Sequence, residues 1–187
     1  MGNGNMLHPD RLLPEDPRTR DIARELYGSV RSLPIISPHG HTDPAWFAEN
    51  KPFGNPAELL ITPDHYVFRM LYSQGITLDQ LGITGTSDSR KSITDPRAVW
   101  RLFASNYHLF RATPSRIWLD HVFFEIFDFD VPLSGDTSDV YFDRIQALLG
   151  TEEFLPRHLF DKFNIELLAT TESPLDELIH HNTIIAS

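Results

Sequence analysis

The chain of 187 residues contains no cysteine. This absence excludes disulfide bonds, thiolate zinc sites and cysteine nucleophiles, so a metal ion would have to be bound by His, Asp or Glu. Basic residues are also few, since 16 Lys and Arg stand against 26 Asp and Glu for a formal net charge of -10. Because such a surface cannot neutralise phosphates over a broad face, we expect neither nucleic acid nor an anionic membrane as a partner. Small molecules are the expected partners.

Long apolar runs are missing as well. No stretch approaches the roughly 18 apolar residues that indicate a membrane span, and no basic segment is followed by an apolar leader. We therefore expect a cytoplasmic protein without a signal peptide. The hydrophobic fraction of 41% is nevertheless enough for an ordinary globular domain with its own core.

Helix starts are marked by a repeated pattern in which proline follows a residue that can cap a helix. Such a pair predicts an N-cap followed by proline at the first helical position. The pairs are Asp16-Pro17, Thr62-Pro63, Asp95-Pro96, Thr113-Pro114 and Ser173-Pro174. We predict a first helix over 17–27 and a second over 63–74, with later helices over 140–149 and 156–163. The residues expected on the buried side of the first helix are Ile22, Ala23 and Leu26.

Two short apolar runs, residues 33–37 and 165–170, are typical of buried parallel strands. The mostly helical stretch between them is far longer than one crossover needs. The pattern therefore predicts an α/β fold that carries a helical insertion. The predicted parts are a flexible arm at 1–15, the first helix and strand in 16–44, the insertion at 45–163 and the second strand in 164–187.

Two histidines follow the first strand directly. The segment SPHGHTDP, residues 37–44, places His39 and His41 on either side of Gly40. In an extended chain, residues two apart share a face and lie about 6.6 Å apart along the strand, so both imidazoles could bind one ion. A loop with two solvated histidines is the alternative for such a pair in isolation. The position after a buried strand, where barrel enzymes carry catalytic side chains, favours metal binding.

Four blocks of sequence carry a family resemblance in the same order. They are HGHTDPAWFAENKPF, DHYVFRMLYSQGI, NYHLFRATPSRIWLDHVF and FNIELLATTESPLDELIHH. Through these blocks the chain resembles the N-terminal part of uronate isomerases (glucuronate isomerases), members of the amidohydrolase superfamily. The resemblance implies the first part of a (β/α)8 TIM-like barrel, with a large helical insertion after the first strand. Two departures are Glu172-Ser173, where the pattern has Asp-Asp, and Asp128, near where it has glycine.

The resemblance implies the interconversion of D-glucuronate with D-fructuronate and of D-galacturonate with D-tagaturonate. This reaction needs a base, an electrophile and a group that holds the distant carboxylate. His39 and His41 would bind a divalent ion, for which zinc is the expected identity. His65 and Tyr66 lie in the first turn of a predicted helix, where free N–H groups favour anions, and would bind the sugar oxygens or relay a proton. Arg69 could hold the carboxylate in a forked pair.

Other interpretations stay open at this point. Arg69 could instead pair with Asp64 or Glu58, while Glu172 and Asp176 are better explained as caps of a following helix. The spacing of His180 and His181 does not by itself indicate that either residue is a metal ligand. A metal-dependent hydrolase would share the His-x-His pattern, and a noncatalytic helical fragment or binding module is the other alternative. A full barrel needs about 250 residues, so we expect this chain to be inactive by itself, and whether it forms a homo-oligomer stays open.

Overall fold

The structure is a computed structural model that describes residues 7–83 and 95–187. Residues 1–6 of the predicted arm lie outside the described residues. The α-helices are α1 Pro17–Val30, α2 Pro44–Glu49, α3 Pro56–Leu60, α4 His65–Ser73, α5 Pro96–Ser105, α6 Pro114–His121, α7 Ser138–Leu149, α8 Pro156–Lys162 and α9 Ile179–Ile185. The strands are β1 Ile35–Ser37 and β2 Ile165–Leu168. None of the helices among these residues has both the length and the hydropathy that a membrane span requires.

The chain divides into two compact units. The helical unit comprises Met1–His8 and Phe53–Leu149, and the strand unit comprises Pro9–Pro52 and Gly150–Ser187. The domain limits inferred from the sequence stay a prediction.

In the strand unit, β1 and β2 pair in parallel, with Ile35 opposite Ile165 and Ser37 opposite Leu168. The prediction that these strands are buried is wrong for this chain. Ile35 and Ile36 are 50% and 59% exposed, and Leu167 is 48% exposed. The apolar runs thus form strands whose faces the described residues leave largely uncovered.

Helix α1 begins where the sequence predicts, because the Asp16 carboxylate accepts a hydrogen bond from the Thr19 N–H. It continues through Gly28 to Val30 rather than ending at Tyr27. The predicted buried face is wrong, since none of the residues of α1 is buried and Leu26 is 64% exposed. Amphipathic spacing shows which face of a helix is apolar, and it does not show what packs there.

The four other proline pairs behave in different ways. Asp95 and Thr113 cap α5 and α6 as predicted. Thr62-Pro63 does not start a helix, because Asp64 takes the N-cap position and α4 begins at His65. The prediction at Ser173-Pro174 is also wrong, since α9 begins only at Ile179. Two helices that the sequence analysis missed begin at analogous pairs, Asp43-Pro44 and Asn55-Pro56.

Aromatic side chains form the core of the helical unit. Trp100 packs edge to face against Phe123 and donates its indole N–H to the Ser138 carbonyl at 2.9 Å. Large side chains that are fully buried there include Trp100, Phe103, Tyr107, Phe110, Phe123 and Tyr141. Asp128 has φ 55, in the left-handed region that favours glycine, which fits the glycine expected near this position in the resembled family.

Candidate functional site

The two histidines of the His-x-His segment come together at the end of β1. The Nε2 atoms of His39 and His41 lie 3.1 Å apart, and their rings meet edge to face with centroids 4.8 Å apart. Both side chains are exposed. Asp43, two residues later, caps α2 by accepting from the Ala45 N–H, so the segment passes directly into a helix.

This arrangement fits a shared divalent ion. Two imidazole nitrogens at about 2.0–2.1 Å from a tetrahedral zinc ion would lie about 3.3 Å from one another, close to the separation of His39 and His41. Both ligand atoms would be Nε2, the nitrogen that the geometry already turns toward the partner ring. Within 7–83 and 95–187, no group of three or more His, Asp or Glu side chains is arranged to hold a metal.

A polar cavity of about 310 Å³ lies beside His41. Its wall includes residues that follow both strands, namely His41, Asp43, Thr171, Glu172, Asp176, His180 and His181. Because β1 and β2 are parallel, their carboxyl ends face the same side, which is where open α/β sheets bind ligands.

Glu172 and His181 line this cavity, although the sequence analysis assigned neither of them to the site. The His181 Nε2 lies 2.9 Å from the Thr170 hydroxyl and 3.7 Å from Glu172 Oε1. Glu172 Oε1 is buried, and among the described residues it has no hydrogen-bond partner. The expectation that Glu172 caps a helix is wrong, because α9 follows Leu178 without a side-chain cap. Asp176 bonds locally, accepting from the Leu178 N–H at 2.7 Å.

The other predicted site residues belong to the helical unit. His65 and Tyr66 occupy the first turn of α4 as predicted, with ring centroids 4.2 Å apart, and Tyr66 is 66% exposed. The first-turn N–H groups of Tyr66 and Val67 donate to the Asp64 carboxylate at 2.8 and 3.3 Å. Arg69 is exposed, and within the described part of the chain it forms no ion pair with Asp64 or Glu58.

Sequence comparison finds relatives over nearly the whole chain. The family model for glucuronate isomerase matches residues 13–187. The uronate isomerase of Sphingopyxis alaskensis is 66% identical over 181 residues, which are 97% of this chain and 37% of that protein. The uronate isomerase of Xanthomonas euvesicatoria is 64% identical over 97% of this chain and 38% of that protein. The chain therefore spans under two fifths of the length of these relatives.

Structure comparison agrees with the sequence comparison. The crystal structure of glucuronate isomerase from Caulobacter crescentus matches with a TM-score of 0.93 and 56% identity. That of uronate isomerase from Thermotoga maritima matches with a TM-score of 0.81 and 26% identity. Each match covers 97% of this chain and 37% of the solved chain.

Proposed function

Because the chain belongs to the glucuronate isomerase family, we propose that it forms the N-terminal part of an enzyme that interconverts aldose and ketose uronates. The substrate pairs are D-glucuronate with D-fructuronate and D-galacturonate with D-tagaturonate. The observation that carries this proposal is the convergence of the His39 and His41 Nε2 atoms at the carboxyl end of two parallel strands. The complete protein would be a TIM-like barrel of the amidohydrolase superfamily, and a cytoplasmic location stays a prediction.

The reaction moves a proton between two adjacent carbons and needs no external reductant or oxidant. A base removes the proton from C2 of the aldose, the enediolate forms, and the proton returns at C1, while the hydroxyl proton passes from O2 to O1. A divalent ion held by His39 and His41, with zinc as the expected identity, would supply positive charge to the sugar oxygens. We assign binding of these oxygens and proton relay to His65 and Tyr66, and binding of the substrate carboxylate to Arg69.

Metal binding by the two histidines is the first test. In the 187-residue chain, prepared without a polyhistidine tag, the His39→Ala/His41→Ala variant should bind less zinc than the unchanged chain at the same free zinc concentration, as measured by equilibrium dialysis and elemental analysis. The matched control is His108→Ala, which removes an exposed histidine from the helical unit. Equal zinc content in the double variant and the unchanged chain would contradict the assignment.

The reaction itself can be tested in a chimera. Residues 13–187 would replace the matching segment of the Sphingopyxis alaskensis uronate isomerase. We expect this chimera to isomerise glucuronate and galacturonate, and the double histidine variant to lose that activity. Hydrolysis of amides or esters without uronate isomerisation would favour the second candidate, a metal-dependent hydrolase with the same His-x-His pattern.

A further inference from the structure

The peptide between the two histidines is held by a residue far away in the sequence. The Thr171 hydroxyl donates a hydrogen bond of 2.7 Å to the Gly40 carbonyl oxygen. Thr171 lies in the strand unit, three residues beyond the end of β2. It therefore connects the segment after one strand to the segment after the other.

The same two segments are also in direct backbone contact. A Cβ atom at Gly40 would lie 2.8 Å from the Ala169 carbonyl oxygen, a separation too short for any side chain. At the end of β1, three residues before Gly40, the Ser37 carbonyl accepts a hydrogen bond of 2.9 Å from the Ala169 N–H. Gly40 thus allows the close approach that lets Thr171 reach its carbonyl.

The backbone is what can orient these histidines. Both rings are exposed, and the ring nitrogens form their hydrogen bond with one another. The Gly40 carbonyl belongs to the peptide that leads into His41, so its direction influences where the Cα–Cβ bond of His41 points. A hydroxyl that fixes this peptide therefore limits the space that the His41 ring can sample relative to His39.

We propose that Thr171 is a positioning residue, whose hydrogen bond to the Gly40 carbonyl keeps the His39 and His41 Nε2 atoms directed at one divalent ion. This inference rests on the proposed function, because it takes the two histidines as metal ligands. Outer partners that orient ligands typically change metal affinity by about 10- to 100-fold when they are removed. Thr171 acts through the backbone and is not itself a ligand.

The test compares three variants of the 187-residue chain. Thr171→Val keeps the side-chain shape and removes the donor, while Thr171→Ser keeps the hydroxyl. The control Thr183→Val removes a similar hydroxyl-to-carbonyl bond, from Thr183 to Ile179 at 2.9 Å, in the same unit. Zinc Kd is measured by competition with a chromophoric chelator, and thermal unfolding of the metal-free chain reports stability.

We expect the Thr171→Val variant to bind zinc about 10-fold or more weakly. The Thr171→Ser and Thr183→Val variants should stay within about threefold of the unchanged chain. An affinity of Thr171→Val within about twofold of the unchanged chain would overturn the proposal, as would an equal loss in Thr183→Val. Thr171→Val could lower zinc affinity and the unfolding temperature to a similar degree, with Thr171→Ser restoring neither. In that case the role of Thr171 is structural and the proposal is wrong.

A second measurement needs no metal. Proton NMR of the metal-free chain should show NOE contacts between the rings of His39 and His41, whose centroids lie 4.8 Å apart. These contacts should weaken in Thr171→Val and persist in Thr171→Ser, and unchanged contacts in Thr171→Val would contradict positioning. Should the unchanged chain bind zinc without using the two histidines, the proposed function fails, whereas the ring contacts still decide the role of Thr171.

Discussion

At the scale of single residues, Asp64 determines what the first turn of α4 can bind. The sequence suggested free N–H groups after Pro63 that would attract an anion. Instead the Asp64 carboxylate accepts from the N–H groups of Tyr66 and Val67. A negative charge already occupies this helix end, so the roles proposed for His65 and Tyr66 would depend on their exposed side chains rather than on the helix dipole.

We therefore predict that the side chains of His65 and Tyr66 matter for catalysis. In the chimera, His65→Ala and Tyr66→Phe should each lower kcat/KM for glucuronate by at least about tenfold, because each removes a group that bonds or relays a proton to the sugar. The matched control is Tyr72→Phe, an exposed tyrosine on the same helix. Activities of the two variants within about twofold of the parent would assign both residues a structural role.

At the scale of elements, two buried tyrosines connect α6 and α7 to the rest of the helical unit. The Tyr107 hydroxyl donates to Asp120 Oδ1 at 2.9 Å, and Arg116 binds the other oxygen of the same carboxylate at 2.7 Å. Burial is the main cause that raises the pKa of the Tyr107 phenol, and the charge of Asp120 raises it further. Burial likewise raises the pKa of Tyr141.

These raised pKa values predict a loss of stability in alkali. Unfolded tyrosine ionises near pH 10, whereas the folded unit keeps both phenols neutral to higher pH. The stabilisation is fully present below about pH 10 and is lost as the pH rises toward the folded pKa. At about pH 11 each phenol should account for a loss of about 1.4 kcal/mol.

The measurement is the urea midpoint of unfolding at about pH 8 and about pH 11. The midpoint should fall less between these pH values in Tyr107→Phe than in the unchanged chain, because the variant lacks one of the two phenols whose ionisation favours unfolding. Tyr72→Phe serves as the control, since it removes the same hydroxyl at an exposed position of the same unit. An equal decrease of the midpoint in Tyr107→Phe and the unchanged chain would show that ionisation of Tyr107 does not contribute to the loss of stability in alkali.

At the scale of the whole molecule, the strand unit leaves much apolar surface uncovered. Helix α1 has no buried residue, and the two-stranded sheet exposes Ile35, Ile36 and Leu167. The described residues supply two parallel strands, and the two histidines fall short of the three protein ligands that are usual for a catalytic zinc ion. Uncovered strand edges and apolar faces also favour association.

We predict that the 187-residue chain alone does not isomerise uronates efficiently. Glucuronate would be assayed with added zinc or manganese, and the chimera would serve as the active control under the same conditions. The chain should show little or no turnover, because the described residues form a sheet of two strands and two histidines are fewer ligands than a catalytic zinc ion usually has. Turnover of about 10 per second, a typical enzyme rate, would mean that these residues already form a complete site.

The sequence by itself determined the features that depend on neighbours within a few positions. Asp16, Asp95 and Thr113 cap their helices because the carboxylate or hydroxyl reaches an N–H two or three residues ahead. The spacing of His39 and His41 also suggested that the two rings converge, and the structure brings their Nε2 atoms together, although β1 ends at Ser37 and residues 38–39 form a bend rather than a continued strand. Local hydrogen bonds and backbone periodicity are readable from spacing alone.

Only the tertiary structure decided which surfaces are covered and which distant groups meet. The bond between Thr171 and Gly40 joins residues 131 positions apart, and the proximity of Glu172 to His181 depends on a turn that replaces the helix predicted after Pro174. Leu26 lies on the apolar face of α1, and it is exposed because none of the described elements covers that face. Such contacts require closure of long loops and the packing of separate elements, and no spacing within a local segment encodes them.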